Sequence, residues 1–141
     1  MARSTAASAH GAFAVFPSLP LPDIVINSDD YNRVSLLAEG VRDRLPYVSA
    51  YLERELNRAA IVHPWEPGGV AMGHNVLFRL DDEPQVRIGR LAYPNRPWGE
   101  RGNVTILGPV GAALIGMHVN SSIEWVDAGR VRTLTVLDYG F

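Results

Sequence analysis

The stretch that decides the fold runs from residue 104 to residue 125 and reads VTILGPVGAALIGMHVNSSIEW. It opens with a β-branched run, breaks at Gly108-Pro109 and continues into a short segment rich in alanine, leucine and isoleucine. Small residues within that segment would let a helix lie close against a sheet. After a polar break, an apolar alternation resumes at Ile123. The pattern predicts a strand, a short helix and a second strand, which together form the folding core of a small domain.

The sequence upstream of this core predicts two paired strands. Apolar residues alternate along residues 70–80, with His74 as the polar exception on the apolar face. A turn follows at residues 81–84, and the alternation resumes over residues 86–93. Gly89 shifts its phase, which predicts a β-bulge at that position. Two alternating runs joined by a turn are typical of an antiparallel pair.

The end of the chain completes the predicted sheet. A turn at residues 127–129 precedes a last alternating run over residues 130–138. Before the first strand, residues 63–69 contain two prolines and two glycines, which indicates a linker or a domain boundary. Residues 64–141 are therefore predicted to form a small α+β domain with an antiparallel sheet of five strands and one short helix.

The segment before the linker carries helical periodicity. A brief strand at residues 24–26 is followed by a cap at Asn27 or Ser28 and by acidic residues in the first turn, where the helix dipole favours them. A second helix begins at Leu45-Pro46, because proline is tolerated in a first helical turn. Each helix has apolar residues at three-to-four spacing. Two amphipathic helices with so short a link predict an antiparallel helical hairpin over residues 23–63.

Residues 1–22 differ in composition from the rest of the chain. They are rich in alanine, serine and proline and contain a single charge, Arg3. Such a segment offers little periodic apolar surface, and we expect a flexible N-terminal tail. No run in the chain approaches the roughly 20 apolar residues that a membrane span requires. We therefore expect no membrane partner.

Composition excludes several classes of function. The chain has 141 residues, 47% of them apolar, and a formal net charge of -2. This balance argues against strong direct nucleic-acid binding, which draws its affinity from clustered positive charge. Cysteine is absent, so neither a disulfide framework nor thiolate chemistry is available. These features favour a cytoplasmic location.

A search for reactive groups finds no pattern typical of an active site. The four histidines are far apart, and none has helical metal-ligand spacing to another. Ser121 and Ser122 have no paired base nearby in the sequence, and the Gly108-x-x-Gly111 stretch is too short for a phosphate loop. We predict no metal site, no cofactor and no enzymatic activity.

The deciding stretch also carries a resemblance to a known family. Residues 109–116 and 123–125 resemble the Pro-Val-Gly and Ile-x-Trp pattern in the C-terminal domain of the Gre transcription factors. They are most similar to the shorter Rnk-type regulators of nucleoside diphosphate kinase. Weaker matches at residues 55–59, 76–78 and 91–94 occur in the same order. The resemblance implies an FKBP-like topology and a factor that binds RNA polymerase near its secondary channel.

The link between the two helices departs from the Gre pattern. In Gre factors a longer hairpin carries acidic residues that help to hold a catalytic magnesium ion. Here the tip consists of Arg42, Asp43, Arg44, Leu45 and Pro46, so one carboxylate lies between two arginines that would neutralise it and oppose a cation. The resemblance therefore implies polymerase binding without stimulation of transcript cleavage. These residues are either a solvated turn or a polymerase contact.

Two further contact regions are expected. The resemblance assigns Gly108, Pro109, Val110 and Gly111 to a loop that Gre factors use near the polymerase. In structural terms the same residues are also a turn and a helix start. Trp98 lies in the irregular segment 94–102, where it is either an exposed anchor for a partner or a cover for the sheet edge.

Two other functions remain open from the sequence. The family name suggests an adaptor that changes the level or activity of nucleoside diphosphate kinase, directly or indirectly. An FKBP-like topology also invites a peptidyl-prolyl isomerase with an aromatic pocket formed by Tyr93, Trp98 and Trp125. Fold alone does not imply function, so the isomerase hypothesis rests on analogy.

Overall fold

The protein is an α+β chain in which two helices precede a mixed sheet. The computed structural model describes residues 19–81, 83–94 and 102–141. Within these residues the helices are α1 (Ser28–Gly40), α2 (Pro46–Arg58) and α3 (Pro109–Leu114). The strands are β1 (Val25–Asn27), β2 (Ala60–Val62), β3 (Asn75–Leu80), β4 (Arg87–Ala92), β5 (Asn103–Thr105), β6 (Ser122–Asp127) and β7 (Arg130–Tyr139). The α+β class and the predicted strand, short helix and strand over residues 104–125 are confirmed.

The larger sheet has five strands in the order β5-β4-β3-β7-β6. Its β3–β4, β3–β7 and β6–β7 pairs are antiparallel, but β4 and β5 run parallel. The prediction of a purely antiparallel sheet is therefore wrong at this edge. In a parallel pair both strands begin at the same end of the sheet, so the connection between them has to run back along the length of the first strand.

The bulge predicted at Gly89 is also wrong. Gly89 pairs with Val76 in an unbroken β3–β4 register. A Cβ atom at this position would lie 2.6 Å from Cγ2 of Val104, so glycine is required for the close approach of β5. The register shift lies elsewhere, between Leu77 and Phe78 where β3 pairs with β7.

A second sheet, which was not predicted, joins the two ends of the helical segment. The strands β1 and β2 pair in parallel, with Ile26 opposite Ile61. The amide of Ala60 also donates to the carbonyl oxygen of Ile24 at 3.0 Å. Because β1 precedes α1 and β2 follows α2, this pairing holds the open ends of the two helices together.

The two helices begin where local sequence signals place them. The Asn27 side chain caps α1 by accepting a hydrogen bond from the Asp30 amide at 2.9 Å. Pro46 is the first residue of α2, where its missing N–H leaves no helical bond unmade. Both predicted helix starts are confirmed. We call α1 and α2 the helix pair.

One hydrophobic core spans the predicted boundary between residues 23–63 and residues 64–141. Its buried members come from both sides of that boundary and include Ile24, Ile26, Val34, Leu52, Leu56, Leu91, Ile106, Leu114, Met117, Ile123 and Leu134. Burial of apolar area contributes about 25 cal/mol per Å², so the helix pair and the sheet stabilise each other.

Residues 69–74, which we call the junction segment, connect the helix pair with the sheet. The sequence predicts this region as the beginning of a strand, but β3 begins only at Asn75. Every amide from Gly69 to His74 instead makes a hydrogen bond outside a strand ladder, four of them to other parts of the chain and two within the segment. Their acceptors, in order, are Val25 O, Met117 O, His74 Nδ1, Asp30 Oδ2, Leu91 O and Ala71 O, at 2.7–3.1 Å.

The junction segment lies against Gly116, two residues after the end of α3. A Cβ atom on Gly69 would lie only 2.0 Å from the carbonyl oxygen of Gly116. Gly116 itself has a φ of 79°, a left-handed conformation that glycine adopts readily. Two backbones therefore pass at a distance that excludes any side chain.

Of the predicted N-terminal tail, residues 1–18 lie outside the described residues. The following residues are held at two points. The amide of Leu19 donates to Oε1 of Glu124 at 2.9 Å, and Nη1 of Arg58 donates to the carbonyl oxygen of Pro22.

We expect Gly69→Ala to destabilise the fold by about 3 kcal/mol or more, because the added methyl group meets backbone that cannot rotate away. The measurement is the free energy of unfolding from urea titration. Gly40→Ala is the control, since a Cβ atom there has no neighbour within 4 Å. It should change stability by less than about 1 kcal/mol. Equal effects of the two substitutions would contradict the close approach.

Candidate functional site

The link between α1 and α2, residues 41–46, forms a tight loop that we call the tip loop. Val41 is buried, and its carbonyl oxygen accepts the amides of Arg44 and Leu45 at 3.1 and 2.7 Å. Pro46 then begins α2. Since Val41 is held in the core, the remaining residues of the tip loop are presented outward, and all five are exposed.

The charges of the tip loop are arranged differently from the sequence expectation. Arg42 pairs with Glu53 of α2 at 3.3 Å, and both side chains are about half exposed. Arg42 therefore does not neutralise Asp43. Within the described residues Asp43 forms no ion pair, and Arg44 forms none either. An exposed pair such as Arg42–Glu53 contributes at most about 1 kcal/mol, so the tip loop stays open to other charged groups.

An exposed aromatic residue next to the tip loop was missed by sequence reasoning. Tyr47 is 90% exposed, and Leu45 beside it is 39% exposed. The available signal was that Tyr47 lies off the apolar stripe of α2, in which Leu52 and Leu56 are buried. Tyrosine is enriched at protein interfaces because it offers apolar area with a polar end. The tip loop thus combines arginines with an apolar and aromatic surface.

A buried hydrogen bond holds the helix pair together below the tip loop. The Ser49 hydroxyl donates to the carbonyl oxygen of Ala38 at 2.7 Å, and both residues are buried. Ala38 lies in the last turn of α1, where carbonyl groups lack helical partners. The bond therefore satisfies such a carbonyl and fixes the position of the tip loop relative to α1.

The second predicted contact region, residues 108–111, is the start of α3. Gly108 is its N-cap in an extended conformation, and Pro109 is the first helical residue. Pro109 is exposed, Gly108 and Val110 are half-buried, and Gly111 is buried. A Cβ atom on Gly111 would lie 2.0 Å from the carbonyl oxygen of Thr105. Gly111 therefore serves the packing of α3 on β5, and only the first three residues reach the surface.

Two of the aromatic residues suggested for an isomerase pocket, Tyr93 and Trp125, line different cavities. Tyr93 lines a shallow cavity beside α1, with Arg33 and Leu36. Trp125 lines a separate cleft of about 540 Å³ between α2 and β6, with Tyr51. Trp98, the third member and the proposed interface anchor, lies outside the described residues.

The cleft between α2 and β6 contains a buried ion pair. Glu55 is 3% exposed, and its oxygens accept from Nε and Nη2 of Arg58 at 3.0 and 2.8 Å. Burial, and to a lesser degree the charge of Glu55, raises the pKa of the neighbouring Tyr51 far above its usual range. The guanidinium of Arg58 thus balances the charge of the Glu55 carboxylate, and the Tyr51 hydroxyl stays protonated. This arrangement stabilises α2 and supplies no reactive group.

Metal and membrane sites can be assessed over the described part of the chain. No group of three or more histidine, aspartate or glutamate side chains there could hold a metal ion. Nor is any helix in that part both long and apolar enough to cross a membrane.

Comparison with known proteins agrees with this architecture. Residues 22–62 match the family model described as Rnk N-terminus. Proteins named regulator of nucleoside diphosphate kinase from Escherichia coli (strain K12) and from Shigella flexneri are both 37% identical to the chain over 121 residues. Each match covers 83% of this chain and 88% of the relative. The chain belongs to the Rnk-type family.

The fold of this Rnk-type chain is also similar to a solved structure. That structure is described as a prokaryotic transcription elongation factor GreA/GreB from Nitrosomonas europaea. The similarity has a TM-score of 0.64 at 30% sequence identity, and it covers 84% of this chain and all of the other. The resemblance to Rnk-type and Gre proteins stated from the sequence is therefore confirmed. Relatives in this family are named as regulators, and the structural neighbour as an elongation factor.

We expect Ser49→Ala to destabilise the protein by about 1 to 2 kcal/mol, because the buried Ala38 carbonyl loses its donor. Thermal and urea unfolding measure the effect. Ser35→Ala on α1 is a matched control, since Ser35 is only half-buried and makes no side-chain hydrogen bond within the described residues. It should be close to neutral. If the two variants were equally stable, the Ser49 bond would not hold the helix pair.

Proposed function

We propose that this protein is a non-catalytic transcription regulator that binds RNA polymerase near its secondary channel and does not stimulate transcript cleavage. The observation that carries the proposal is the tip loop: a fold similar to that of a GreA/GreB factor ends there in an arginine-flanked turn with one carboxylate. We further propose that the helix pair is an antiparallel hairpin and that the topology of the sheet is FKBP-like.

The chemistry of the tip loop supports binding over cleavage. Magnesium prefers several carboxylate oxygens at close range, and a cleavage factor would have to supply them. Asp43 is the one carboxylate in residues 41–46, and arginines flank it on both sides. Arg42 is paired with Glu53, but the positive charge of Arg44 next to Asp43 opposes a bound cation. The tip loop is therefore suited to contact a surface and not to deliver a metal ligand.

The length of the helix pair limits how far the tip loop can reach. Both α1 and α2 contain 13 residues. At about 1.5 Å per residue each helix is about 20 Å long. We propose that the start of α3 binds at the rim of the channel through Gly108, Pro109 and Val110, while the tip loop points inward. Gly111 contributes by positioning α3.

The surface of the tip loop indicates what it contacts. Leu45 and Tyr47 present apolar and aromatic area, and Arg44 adds an unpaired positive charge among the described residues. Exposed aromatic and arginine side chains are favoured as interface anchors. We propose a protein surface with acidic and apolar groups as the partner of this loop. RNA polymerase and the kinase considered below would place the protein in the cytoplasm.

We expect the fluorescently labelled protein to bind core RNA polymerase and to be displaced by a Gre factor. Stalled elongation complexes incubated with it should show no increase in transcript cleavage. In Arg44→Glu and Tyr47→Ser variants the dissociation constant should rise by about tenfold, which corresponds to the loss of one interface anchor. Binding is measured by fluorescence anisotropy and cleavage by the lengths of the labelled transcripts.

The control for the charge reversal is Arg87→Glu, because Arg87 is an exposed arginine on the sheet whose side chain pairs with Glu83. It should bind the polymerase like the original protein. Absence of binding at micromolar concentration, or cleavage stimulation by the original protein, would refute the proposal.

A second candidate function is favoured by the names of the relatives. The curated relatives are called regulators of nucleoside diphosphate kinase. An adaptor that binds the kinase directly would change its activity without polymerase. The exposed tip loop could serve such a contact equally well, since its chemistry specifies a protein surface and not a particular partner.

The two candidates are separated by assaying purified nucleoside diphosphate kinase with and without this protein. Under the polymerase proposal the rate should stay unchanged at a tenfold excess of the regulator. A change of rate that the Tyr47→Ser variant abolishes would favour the adaptor instead.

A further inference from the structure

Two neighbouring amides of the junction segment are held by titratable side chains. The amide of Ala71 donates to Nδ1 of His74 at 3.0 Å, and the amide of Met72 donates to Oδ2 of Asp30 at 2.9 Å. Asp30 lies in the first turn of α1, whereas His74 directly precedes β3. Met72 is thus held by the helix pair, whereas Ala71 is held within the junction segment by His74, whose carbonyl oxygen accepts from Leu91 of β4 at 3.0 Å.

The hydrogen bond from Ala71 fixes the protonation state of His74. Because Nδ1 accepts, it carries no proton, and the neutral ring has its proton on Nε2. An imidazolium carries protons on both nitrogens and offers no acceptor. The Ala71 amide and a protonated Nδ1 would then be two donors facing each other, and the bond could not persist.

The imidazole ring also connects the junction segment with the end of β7. His74 stacks on Tyr139, with ring centroids 5.6 Å apart. The Tyr139 hydroxyl donates to the carbonyl oxygen of Gly68 at 3.0 Å, immediately before the junction segment. A change in the position of His74 would therefore alter its contact with Tyr139 and, through Tyr139, the hydrogen bond to Gly68.

The groups around His74 determine how readily it takes up a proton. Burial lowers its pKa below the ordinary value of 6.5, and the negative charge of Asp30 on α1 opposes this shift. His74 lines a cavity of about 380 Å³, and Glu66, in the turn after β2, lines it too. Tyr139 of β7 stacks on the imidazole ring. Tyr93 lies close to Asp30 and also to Arg33.

We propose that the junction segment is a proton-operated clamp, in which protonation of His74 releases the Ala71 amide and loosens the helix pair from the sheet. Asp30 continues to hold Met72, so one of the two restraints remains. The helices and the five-stranded sheet keep their own hydrogen bonds. The clamp goes beyond the proposed function and does not depend on it, although the helix pair carries the tip loop.

The direction of the pH effect follows from the lowered pKa. The unfolded chain takes up a proton on this histidine near pH 6.5, whereas the folded chain does so only at lower pH. The stabilisation from neutral His74 is therefore fully present above pH 6.5 and is lost as the pH falls through the lowered folded pKa. Carboxylates have ordinary pKa values near 4 and remain ionised at about pH 5, so His74 can be titrated separately from them.

The first experiment measures amide exchange and histidine titration by NMR. Between about pH 7.5 and about pH 5, protection of the Ala71 amide in the full chain should fall by about fivefold, which corresponds to one lost hydrogen bond. Protection of the Met72 amide, whose acceptor is Asp30, should persist. The fall should follow the titration of the His74 ring.

A second experiment measures the position of the helix pair relative to the sheet. The chain contains no cysteine, so Tyr47→Cys and Ile88→Cys allow spin labels at two exposed sites, one beside the tip loop and one on β4. Pulsed electron paramagnetic resonance gives the distribution of distances between the two spin labels. It should broaden on going from about pH 7.5 to about pH 5, while circular dichroism shows both forms folded.

The decisive variant is His74→Asn, because the amide oxygen of asparagine can accept from Ala71 and does not titrate. It should abolish the pH response of both measurements. His118→Asn removes a histidine outside the junction segment and should leave the response intact. The proposal is overturned if the original chain shows no change between the two pH values, or if His74→Asn responds as the original chain does.

Discussion

The fold depends on the hydrogen bonds of six consecutive amides, those of residues 69–74. Four of them donate to other parts of the chain, namely β1, the segment after α3, the first turn of α1 and β4. The amides of Ala71 and His74 donate to acceptors within the segment itself. A buried amide without an acceptor costs about 1 to 3 kcal/mol. The folded conformation of residues 69–74 is therefore stable only when these amides have their acceptors. The close approach of Gly69 to the Gly116 backbone brings the junction segment next to the segment that follows α3. The junction segment therefore connects the helix pair with the five-stranded sheet by hydrogen bonds, in addition to the core that they share.

This constraint connects the core with the surface that we assign to function. Bonds of the junction segment reach β1 and the first turn of α1, and β1 pairs with β2 at the open end of the helix pair. At the other end, Ser49 and the buried Val41 define the tip loop. The tip loop is thus held by a rigid support, which lowers the conformational entropy lost on binding. A short, exposed loop on this support suits the contact with another protein that we propose.

Local signals in the sequence predicted much of this structure, and contacts distant in sequence explain most of the errors. The cap at Asn27 and the proline at the start of α2 are decided by neighbouring residues, and both predictions are confirmed. The strand β2 was missed because its three residues pair in parallel with β1, more than 30 positions earlier. Gly89 was assigned to a bulge, whereas its role is to admit Val104 from another strand. For the candidate site, the exposed Tyr47 could have been recognised from its place outside the apolar stripe, whereas the pairing of Arg42 with Glu53 required the geometry of two packed helices.

The central claim is that the tip loop contacts RNA polymerase, and site-specific photocrosslinking tests it most directly. A benzophenone amino acid replaces Tyr47, which is 90% exposed and therefore tolerates the change. The protein is then irradiated with transcription elongation complexes and equimolar nucleoside diphosphate kinase. The account predicts a covalent adduct with the polymerase, mapped by mass spectrometry to the walls of the secondary channel and lost when a Gre factor is added in excess. An adduct with the kinase and none with the polymerase would contradict it.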